Sequence, residues 1–306
     1  MKVVEIKSIK EEKVSNELLK LLEKFNLPKR PERESLEIVV ETNVVFVNAI
    51  RRCEKCPVRI MSCDQKNIET NDLSLIPHHL KSMIEQIPID QEEKITSLKL
   101  YKNNETQHIQ PILSSDILVD GKKSEKLFSN MYLHCDLLPF CSVSVDLEIV
   151  WGNRSISKIF TYEGNISVVS LELEKMEKKN TTIPSSLEFE PKLFKITVPF
   201  QTVITPKKII INICNHFINI IDKHLTSEPN IIKNENHVIY NFDYVDIGLL
   251  VEYYIFELDV SIKKIYSERI DNSLNVYIYH NDVDKLYTKS LENIKRDFTI
   301  FRDSLL

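Results

Sequence analysis

The clearest hydrophobic pattern in the chain lies in its first third. Val44, Val47 and Ile50 recur at helical spacing, which predicts a helix with one packed face. Arg51 and Arg52 follow immediately, so the packed face ends in two adjacent cations. The next proline stops this helix, and the apolar residues after it predict a short strand.

A second helix is predicted a few residues further on. Asp72 or Ser74 can cap its first turn, and Pro77 falls where a proline is tolerated. Its apolar stripe consists of Leu75, Ile76, Leu80, Met83 and Ile84, and Pro88 ends it. The stripe indicates that this helix packs against a neighbour through one face.

The pattern changes to β-strands from about Ile95. Alternating or β-rich runs predict strands at residues 97–101, 111–119, 131–137, 142–150 and 155–162. Residues 151–154 have the chemistry of a hairpin turn. The charged run 172–180 is interpreted as a solvated linker or loop.

The remaining elements fall into two groups after this β-rich stretch. Residues 187–198 predict strand, and residues 206–225 predict a helix with an apolar face. A smaller unit follows, with a strand (237–242), a helix (246–256), a hairpin (260–270 and 274–280) and a long closing helix (283–301). Residues 1–33 are expected to be an extension, whose helix at 16–25 packs on its own domain or docks a neighbour.

The composition is that of an ordinary globular protein. Of the 306 residues, 42% are hydrophobic and 28% are charged, and no apolar run is long enough to span a bilayer. The first residues lack the apolar centre of a signal peptide, so a reducing cytoplasmic or nuclear location is expected. The formal net charge of -5 does not indicate an autonomous nucleic-acid-binding protein. We therefore expect protein partners, with no membrane contact.

Six cysteines raise the question of a metal site. Cys53 and Cys56 form a CxxC motif, with Cys63 nearby and Cys135, Cys141 and Cys214 far along the chain. Zinc sites usually need a second close pair or two histidines. We interpret the cysteines as reduced thiols, treat His216 and His224 as packed or solvated residues, and expect no metal ion or other cofactor.

Catalytic motifs are missing from the sequence. It has no P-loop, no dinucleotide-binding glycine motif, no HExxH zinc motif and no GxSxG nucleophile elbow. An enzyme would be the main alternative class, but no residues can be assigned to its chemistry. We therefore expect no catalytic residues within this chain.

Several short motifs occur in an order that resembles one protein family. The first helix carries Asn48–Arg52 (NAIRR), the second carries Ile76–Leu80 (IPHHL), and Ile87–Ile89 (IPI) follows it. The smaller unit carries Phe242–Leu250 (FDYVDIGLL). In this order, the motifs resemble the alpha-like assembly subunits of multisubunit DNA-directed RNA polymerases.

The resemblance covers residues 34–306 and implies an α+β fold in which two normally separate subunits are fused. These are the third- and eleventh-subunit types of eukaryotes, or the D and L types of archaea. Residues 34–94 and 185–228 would form a first dimerisation domain, residues 95–184 an inserted β-rich domain, and residues 229–306 a second dimerisation domain. Their helices, packed on small antiparallel sheets, would form an intramolecular pseudo-dimer. Such a fusion fits a large DNA virus that encodes its own polymerase.

The family also implies a function and its residues. The chain would be a non-catalytic platform that nucleates assembly of the two largest polymerase subunits, binds small subunits and meets DNA only through the complex. Asn48, Arg51 and Arg52 are assigned to large-subunit docking. The pseudo-dimer interface is assigned to Leu75, Leu80, Ile247, Gly248, Leu250, Leu291, Ile294 and Phe298. Gly248 is expected to allow close approach of the two units, since a helix glycine costs about 1 kcal/mol relative to alanine.

Two alternatives stay open at this point. A free-standing viral interaction protein or clamp-like factor would have the same α/β composition. Arg51 and Arg52 would then be solvated charges that interact favourably with the helix dipole. Co-purification separates the hypotheses, because an assembly subunit is recovered with two very large chains, and such a subunit can also be packaged in virions.

Overall fold

The elements of the fold are given by a computed structural model, which describes residues 1–10, 20, 34–52, 58–89, 94–123, 132–152, 166–178, 190–199, 205–227, 231–233, 237–258, 264–271, 273–280 and 282–306. The helices in these ranges are α1 (Val44–Arg52), α2 (Pro77–Ile84), α3 (Leu171–Lys178), α4 (Pro206–Thr226), α5 (Val245–Leu258) and α6 (Val283–Asp303). The strands are β1 (Lys2–Lys10), β2 (Glu34–Glu41), β3 (Val58–Ser62), β4 (Ile68–Thr70), β5 (Pro88–Ile89), β6 (Leu98–Asn103), β7 (Gln110–Leu113), β8 (Ile117–Val119), β9 (Lys122–Lys123), β10 (Tyr132–Leu137), β11 (Ser142–Gly152), β12 (Ser167–Ser170), β13 (Leu193–Val198), β14 (Ile231–Lys233), β15 (Val238–Phe242), β16 (Lys264–Ile270) and β17 (Ser273–Tyr279). The α+β class predicted from the sequence is confirmed.

The first sheet has the strand order β1-β2-β13-β12, with every neighbouring pair antiparallel. Leu36, Ile38 and Val40 of β2 are buried at every second position, as expected for a sheet with one face on a core. With α1, α3 and α4, this sheet forms the first unit. Residues 2–10 therefore belong to the first unit and not to an extension; the predicted helix at 16–25 falls outside the described residues.

Helix α3 (Leu171–Lys178) lies where a solvated linker or loop was predicted at 172–180. Its charges support the helix because Lys178 Nζ lies 2.6 Å from Glu174 Oε1, one turn away. Glu172 Oε2 also accepts a 2.7 Å hydrogen bond from the backbone N–H of Lys192 at the start of β13. The helix is thereby attached to the first sheet.

The described residues between 58 and 152 form a separate β-rich unit. Its main sheet has the order β5-β3-β11-β6-β8-β9, with β4 also paired to β11, while β7 and β10 form a second pair. The long strand β11 pairs β3 through residues 148–152 and β6 through residues 142–147. The predicted strand at 155–162 and the end of the predicted turn lie outside the described residues.

Helix α2 belongs to this β-rich unit, so two assignments from the sequence are wrong. Leu75 and Leu80 were predicted at the pseudo-dimer interface, but both lie in the β-rich core. Residues 58–89 were predicted to join the first dimerisation domain. Because β3, β4 and β5 pair with strands of the β-rich sheet, they place α2 against β10.

The start of α2 also differs from the prediction. The helix begins at Pro77, and its N-cap residue Ile76 makes no side-chain capping bond. The buried carboxylate of Asp72 instead accepts backbone hydrogen bonds from Ser74 at 2.9 Å and Leu138 at 2.8 Å. Although burial raises the pKa of Asp72, these hydrogen bonds hold it below its usual value. Asp72 thus connects two loops of the β-rich unit.

Residues 231–306 form the second unit, whose sheet has the order β14-β15-β17-β16. The predicted strand, helix, hairpin and closing helix are confirmed as β15, α5, β16–β17 and α6. Strand β14 was not predicted. The hairpin turns at Asp271, which adopts a positive φ of 52°.

The first and second units share one hydrophobic core, which is the predicted pseudo-dimer arrangement. Phe298 of α6 stacks on Phe217 of α4, with centroids 4.6 Å apart and planes at 15°. Phe46 of α1 lies 4.6 Å from the same Phe298 ring. Of the predicted interface residues, Ile247, Leu250, Leu291, Ile294 and Phe298 are fully buried in this core. Burial of such a side chain stabilises a fold by about 1.5–3 kcal/mol.

Helices α4 and α6 pack in an antiparallel manner. The ring nitrogen Nδ1 of His224 contacts Tyr287, and Asn215 accepts a hydrogen bond from Arg302. The C-terminal part of α4 therefore contacts the N-terminal part of α6, and the middle of α4 contacts the C-terminal end of α6. Lys295 Nζ adds a 2.5 Å contact to Asp222 Oδ1.

Gly248 is buried, but its close neighbours belong to its own unit. A Cβ atom at this position would lie 2.7 Å from Cδ2 of Leu274 and 3.1 Å from Cδ2 of Phe242. Both residues lie on the second sheet. The glycine therefore lets α5 approach its own sheet, and its predicted role between the two units is wrong.

Candidate docking surface

Helix α1 presents a partly exposed face beside its buried one. Asn43 Oδ1 accepts a 2.7 Å hydrogen bond from the backbone N–H of Phe46 and so caps the helix start. Phe46, Val47, Ala49 and Ile50 are buried in the shared core. The other face carries Val45, Asn48 and Arg52, which are spaced as i, i+3 and i+7 along the helix.

This face borders a cleft of about 630 Å³ between α1, α5 and β16. Helix α5 contributes residues at matching helical spacing, from Asp246 through Leu249 to Phe256. The cleft is lined by Val45, Asn48, Arg52, Asp246, Leu249, Glu252, Tyr253, Phe256, Lys264 and Ile265. It lies where the first and second units meet, because α1 belongs to one and α5 to the other.

The three predicted docking residues take different positions at this cleft. Asn48 is half-buried in its wall, while Arg51 is exposed on the neighbouring face of α1. Arg52 Nη1 lies 3.6 Å from Asp246 Oδ1, and the two side chains are 44% and 20% exposed. This ion pair bridges the two units. Arg51, in contrast, forms no ion pair with another described residue.

The cleft has apolar walls and charged residues at its rim. Phe256 is 54% exposed, and Val45, Leu249 and Ile265 are half-buried. Arg52 with Asp246 occupies one part of the rim, and Glu252 and Lys264 provide further charges. Exposed aromatic and arginine side chains next to an apolar depression are typical of residues that dominate protein–protein binding.

Sequence reasoning identified Asn48 and Arg52 but missed the contribution of α5. The aromatic residues Tyr253 and Phe256 fell within a correctly predicted helix, and nothing local marks them as surface residues. Their only signal is that helical periodicity places Phe256 on the same face as Leu249. The crossing of α1 and α5 is required to see that this face is left partly open.

A second cavity, of about 590 Å³ and with a polar lining, lies near the starts of α1 and β13. The Tyr254 hydroxyl donates a 2.5 Å hydrogen bond to Oδ2 of the buried Asp297, which connects α5 to α6. Burial and this hydrogen bond raise the pKa of Tyr254, so the phenol stays protonated. We assign the pair a structural role within the second unit.

No group of three His, Cys, Asp or Glu side chains within the described residues is arranged to hold a metal ion. Cys53 and Cys56 lie outside the described residues. Cys63, Cys135, Cys141 and Cys214 form no disulfide. Burial, with the nearby Asp136 carboxylate, raises the pKa of Cys135 to about 11, which keeps it a neutral thiol.

The two histidines of α4 are packed against aromatic rings. His216 lies 5.7 Å from the ring of Tyr244, and His224 lies 5.3 Å from that of Phe242. Burial, helped by the charge of Lys223, lowers the pKa of His216 to about 4. Burial also lowers the pKa of His224. Both side chains are therefore neutral at pH 7.

Among the described residues, no helix is both long and apolar enough to cross a membrane. No family model matches the chain, and neither does any curated protein sequence. Functional inference therefore depends on the order of motifs, the shared core and the α1–α5 cleft.

Proposed function

We propose that this chain is a non-catalytic assembly-platform subunit of a viral DNA-dependent RNA polymerase, on which the two large catalytic subunits assemble. The supporting observation is the shared core of the first and second units. Among the described residues, the first and the second unit each have a four-stranded antiparallel sheet, and α1, α4, α5 and α6 bury their apolar faces against each other. This is the organisation expected when a two-subunit platform is fused into one chain.

Fusion gives the platform a physical advantage. Two separate subunits must find each other before they can hold a third, whereas tethered units meet at an effective concentration on the order of millimolar. The stacked rings of Phe217 and Phe298 and the antiparallel packing of α4 and α6 then hold one relative orientation. A constant orientation is what a scaffold for larger subunits requires.

The docking surface of the proposal is the α1–α5 cleft together with Arg51. Arg51 has an exposed guanidinium group that can bond in a directed way to carboxylates or carbonyls of a partner. Phe256 offers an exposed aromatic anchor. Arg52 has a second task, because its ion pair with Asp246 holds α1 against α5 and so helps to maintain the cleft.

The proposed partners are the two largest polymerase subunits and the small subunits, with DNA reached only through the complex. The test is a pull-down of the second-largest subunit by wild-type chain and by Arg51→Ala and Phe256→Ala variants. Truncating a central docking residue often costs about 2 kcal/mol, or roughly a thirtyfold loss of affinity. Because both side chains are exposed, the thermal melts should stay unchanged.

A matched control removes two adjacent cations elsewhere. Lys122 and Lys123 are exposed on the short strand β9 of the β-rich unit. The variant with both changed to alanine should bind the large subunit like the wild type. If Arg51→Ala and Phe256→Ala also bind with unchanged affinity, the cleft is not the docking surface.

A free-standing interaction protein is the second candidate, since an exposed aromatic beside charges suits many protein partners. The two functions differ in what co-purifies with the chain. An assembly subunit is recovered with two very large chains in equal amounts and has no nucleotidyl-transfer activity alone. A free-standing protein is recovered without them.

A further inference from the structure

Strand β1 lies at the edge of the first sheet. In the part of the chain that the structure describes, it pairs with β2 on one side and with no strand on the other. Val4, Ile6 and Ile9 are 53%, 40% and 40% exposed, which is unusual for three apolar residues on one strand. The backbone N–H and C=O groups of such an edge can pair with a strand of another molecule.

The pairing with β2 determines the direction of each β1 side chain. Ile6 lies opposite the fully buried Ile38, so it points to the inner face at the rim of the shared core. Glu5 and Lys7 point to the outer face. Their side chains form an ion pair of 2.6 Å and are about half exposed.

The central residues of β1 can pair with their own copies so that opposite charges face each other. In a two-fold antiparallel pair of identical strands, one residue faces its own copy. With Ile6 at the centre, Glu5 faces Lys7 of the other copy and Lys7 faces Glu5, whereas the outer residues Lys2 and Lys10 face each other. The inner face then gains an Ile6–Ile6 contact, and the outer face gains two cross-strand ion pairs.

Neighbouring registers lack this complementarity. Centring the pair on Glu5 or on Lys7 places like charges directly opposite each other, which is destabilising. Centring it on Ser8 sets Lys7 against Ile9 and removes both ion pairs. Among the registers centred on residues 5 to 8, the one at Ile6 alone sets Glu5 opposite Lys7 and an apolar side chain opposite its own copy. Its unfavourable pairing of Lys2 with Lys10 lies beyond the register shift between Val3 and Glu5.

We propose that β1 is a homodimerisation edge, which pairs antiparallel with β1 of a second copy in the register centred on Ile6. Edge lysines normally prevent strand addition, but here Glu5 of the partner copy neutralises Lys7. The irregular pairing between Val3 and Glu5 ends the regular stretch, so the contact is short. A contact of this size gives a weak dimer that forms at high concentration. This inference does not depend on the polymerase function.

Sedimentation equilibrium of the full chain, from about 1 µM to about 500 µM, tests the proposal. The wild type should shift from monomer to dimer within this range. Glu5→Lys and Lys7→Glu each place like charges opposite and should weaken the dimer about tenfold or more. The double variant Glu5→Lys with Lys7→Glu should recover wild-type association, because both charges are exchanged.

Mixing the two single variants gives the sharpest result. Each variant alone should self-associate more weakly than the wild type, but an equimolar mixture should form heterodimers, since each variant supplies the charge that the other lacks. Glu69→Lys, on the exposed side of β4 in the β-rich unit, is the control and should dimerise like the wild type. Thermal melts confirm that each variant is folded.

Three outcomes would overturn the proposal. The wild type could stay monomeric over the whole concentration range. It could dimerise with an affinity that neither single charge variant changes, which would assign the dimer to another surface. The mixture and the double variant could both fail to recover association, which would remove the ion pairs from the contact.

Discussion

The stack of Phe217 on Phe298 is the contact that most directly joins the two units, and a double-mutant cycle can measure it. Phe217→Leu and Phe298→Leu each keep an apolar side chain but remove the ring. Each single change should lower the free energy of unfolding by roughly 1–3 kcal/mol. The stacked geometry, with centroids 4.6 Å apart, predicts a coupling of about 0.5–1.5 kcal/mol.

Two spectroscopic probes separate the shared core from the β-rich core during urea denaturation. Trp151 is the single tryptophan and lies in the β-rich unit, below the guanidinium group of Arg59 at 5.4 Å. Its fluorescence therefore reports the β-rich unit. Eight of the 11 tyrosines lie in the second unit, where Tyr240 and Tyr287 stack, so the near-ultraviolet circular dichroism of tyrosine reports mainly this unit. The cycle should appear in the tyrosine signal.

A control substitution should affect the other probe. Leu80 is fully buried in the β-rich core, and Leu80→Ala should cost about 2–5 kcal/mol in the tryptophan transition. Combined with Phe298→Leu, it should be additive within about 0.5 kcal/mol. If the losses of unfolding free energy from Phe217→Leu and Phe298→Leu are also additive, the two rings do not stabilise each other. That result would contradict the packing of α4 against α6 in the shared core.

Three further predictions concern the shared core and its packing. Gly248→Ala should lower the melting temperature, because overpacking against Leu274 and Phe242 costs about 1–3 kcal/mol and exceeds the roughly 1 kcal/mol gain in helix propensity; a more stable variant would show that α5 has room to move. His216 binds a proton near pH 6.5 when unfolded but only near pH 4 when folded, so its contribution to stability is lost as the pH falls from 6.5 to 4. Urea titrations should show that the wild type loses on the order of 3 kcal/mol more than His216→Phe over this range, and equal losses would contradict the assigned burial. Chains split between residues 228 and 229 and expressed together should co-elute on a sizing column, whereas folded halves that elute separately would argue against a shared core.

Local pattern was sufficient to predict the second unit apart from strand β14. The stripe of Leu291, Ile294 and Phe298 predicted α6, and the flanking turn residues predicted the β16–β17 hairpin. These elements depend on residues a few positions apart. Their helical or alternating periodicity was therefore visible in the sequence without knowledge of the fold.

The sequence did not show which elements pack against each other. The stripe of Leu75 and Leu80 showed that α2 packs on something, but the pairing of β3 and β4 with the distant strand β11 decides on what. Strand β1 was missed as part of the first sheet because its exposed, charged pattern resembles that of a linker. Edge strands often carry charged side chains, especially lysine, that discourage strand addition, and these charges obscure the apolar alternation.

The candidate site shows the same limit. Two adjacent arginines at a helix end drew attention to Arg51 and Arg52. Asp246 and Phe256 lie on a helix far along the chain, and only the crossing of α1 and α5 brings them to the same cleft. Gly248 was predicted to allow close approach of the two units, but the sequence could not say that its close neighbour is Leu274 of its own unit.

Assembly of the polymerase core with and without this chain is the most direct measurement of its function. The two largest subunits of the same polymerase would be co-expressed alone, with the wild-type chain, and with Arg51→Ala combined with Phe256→Ala. The platform function predicts a stoichiometric complex that synthesises RNA with the wild type, little complex with the double variant, and no RNA synthesis by the chain alone. Equal assembly of the large subunits in the absence of the chain, or RNA synthesis by the isolated chain, would contradict it.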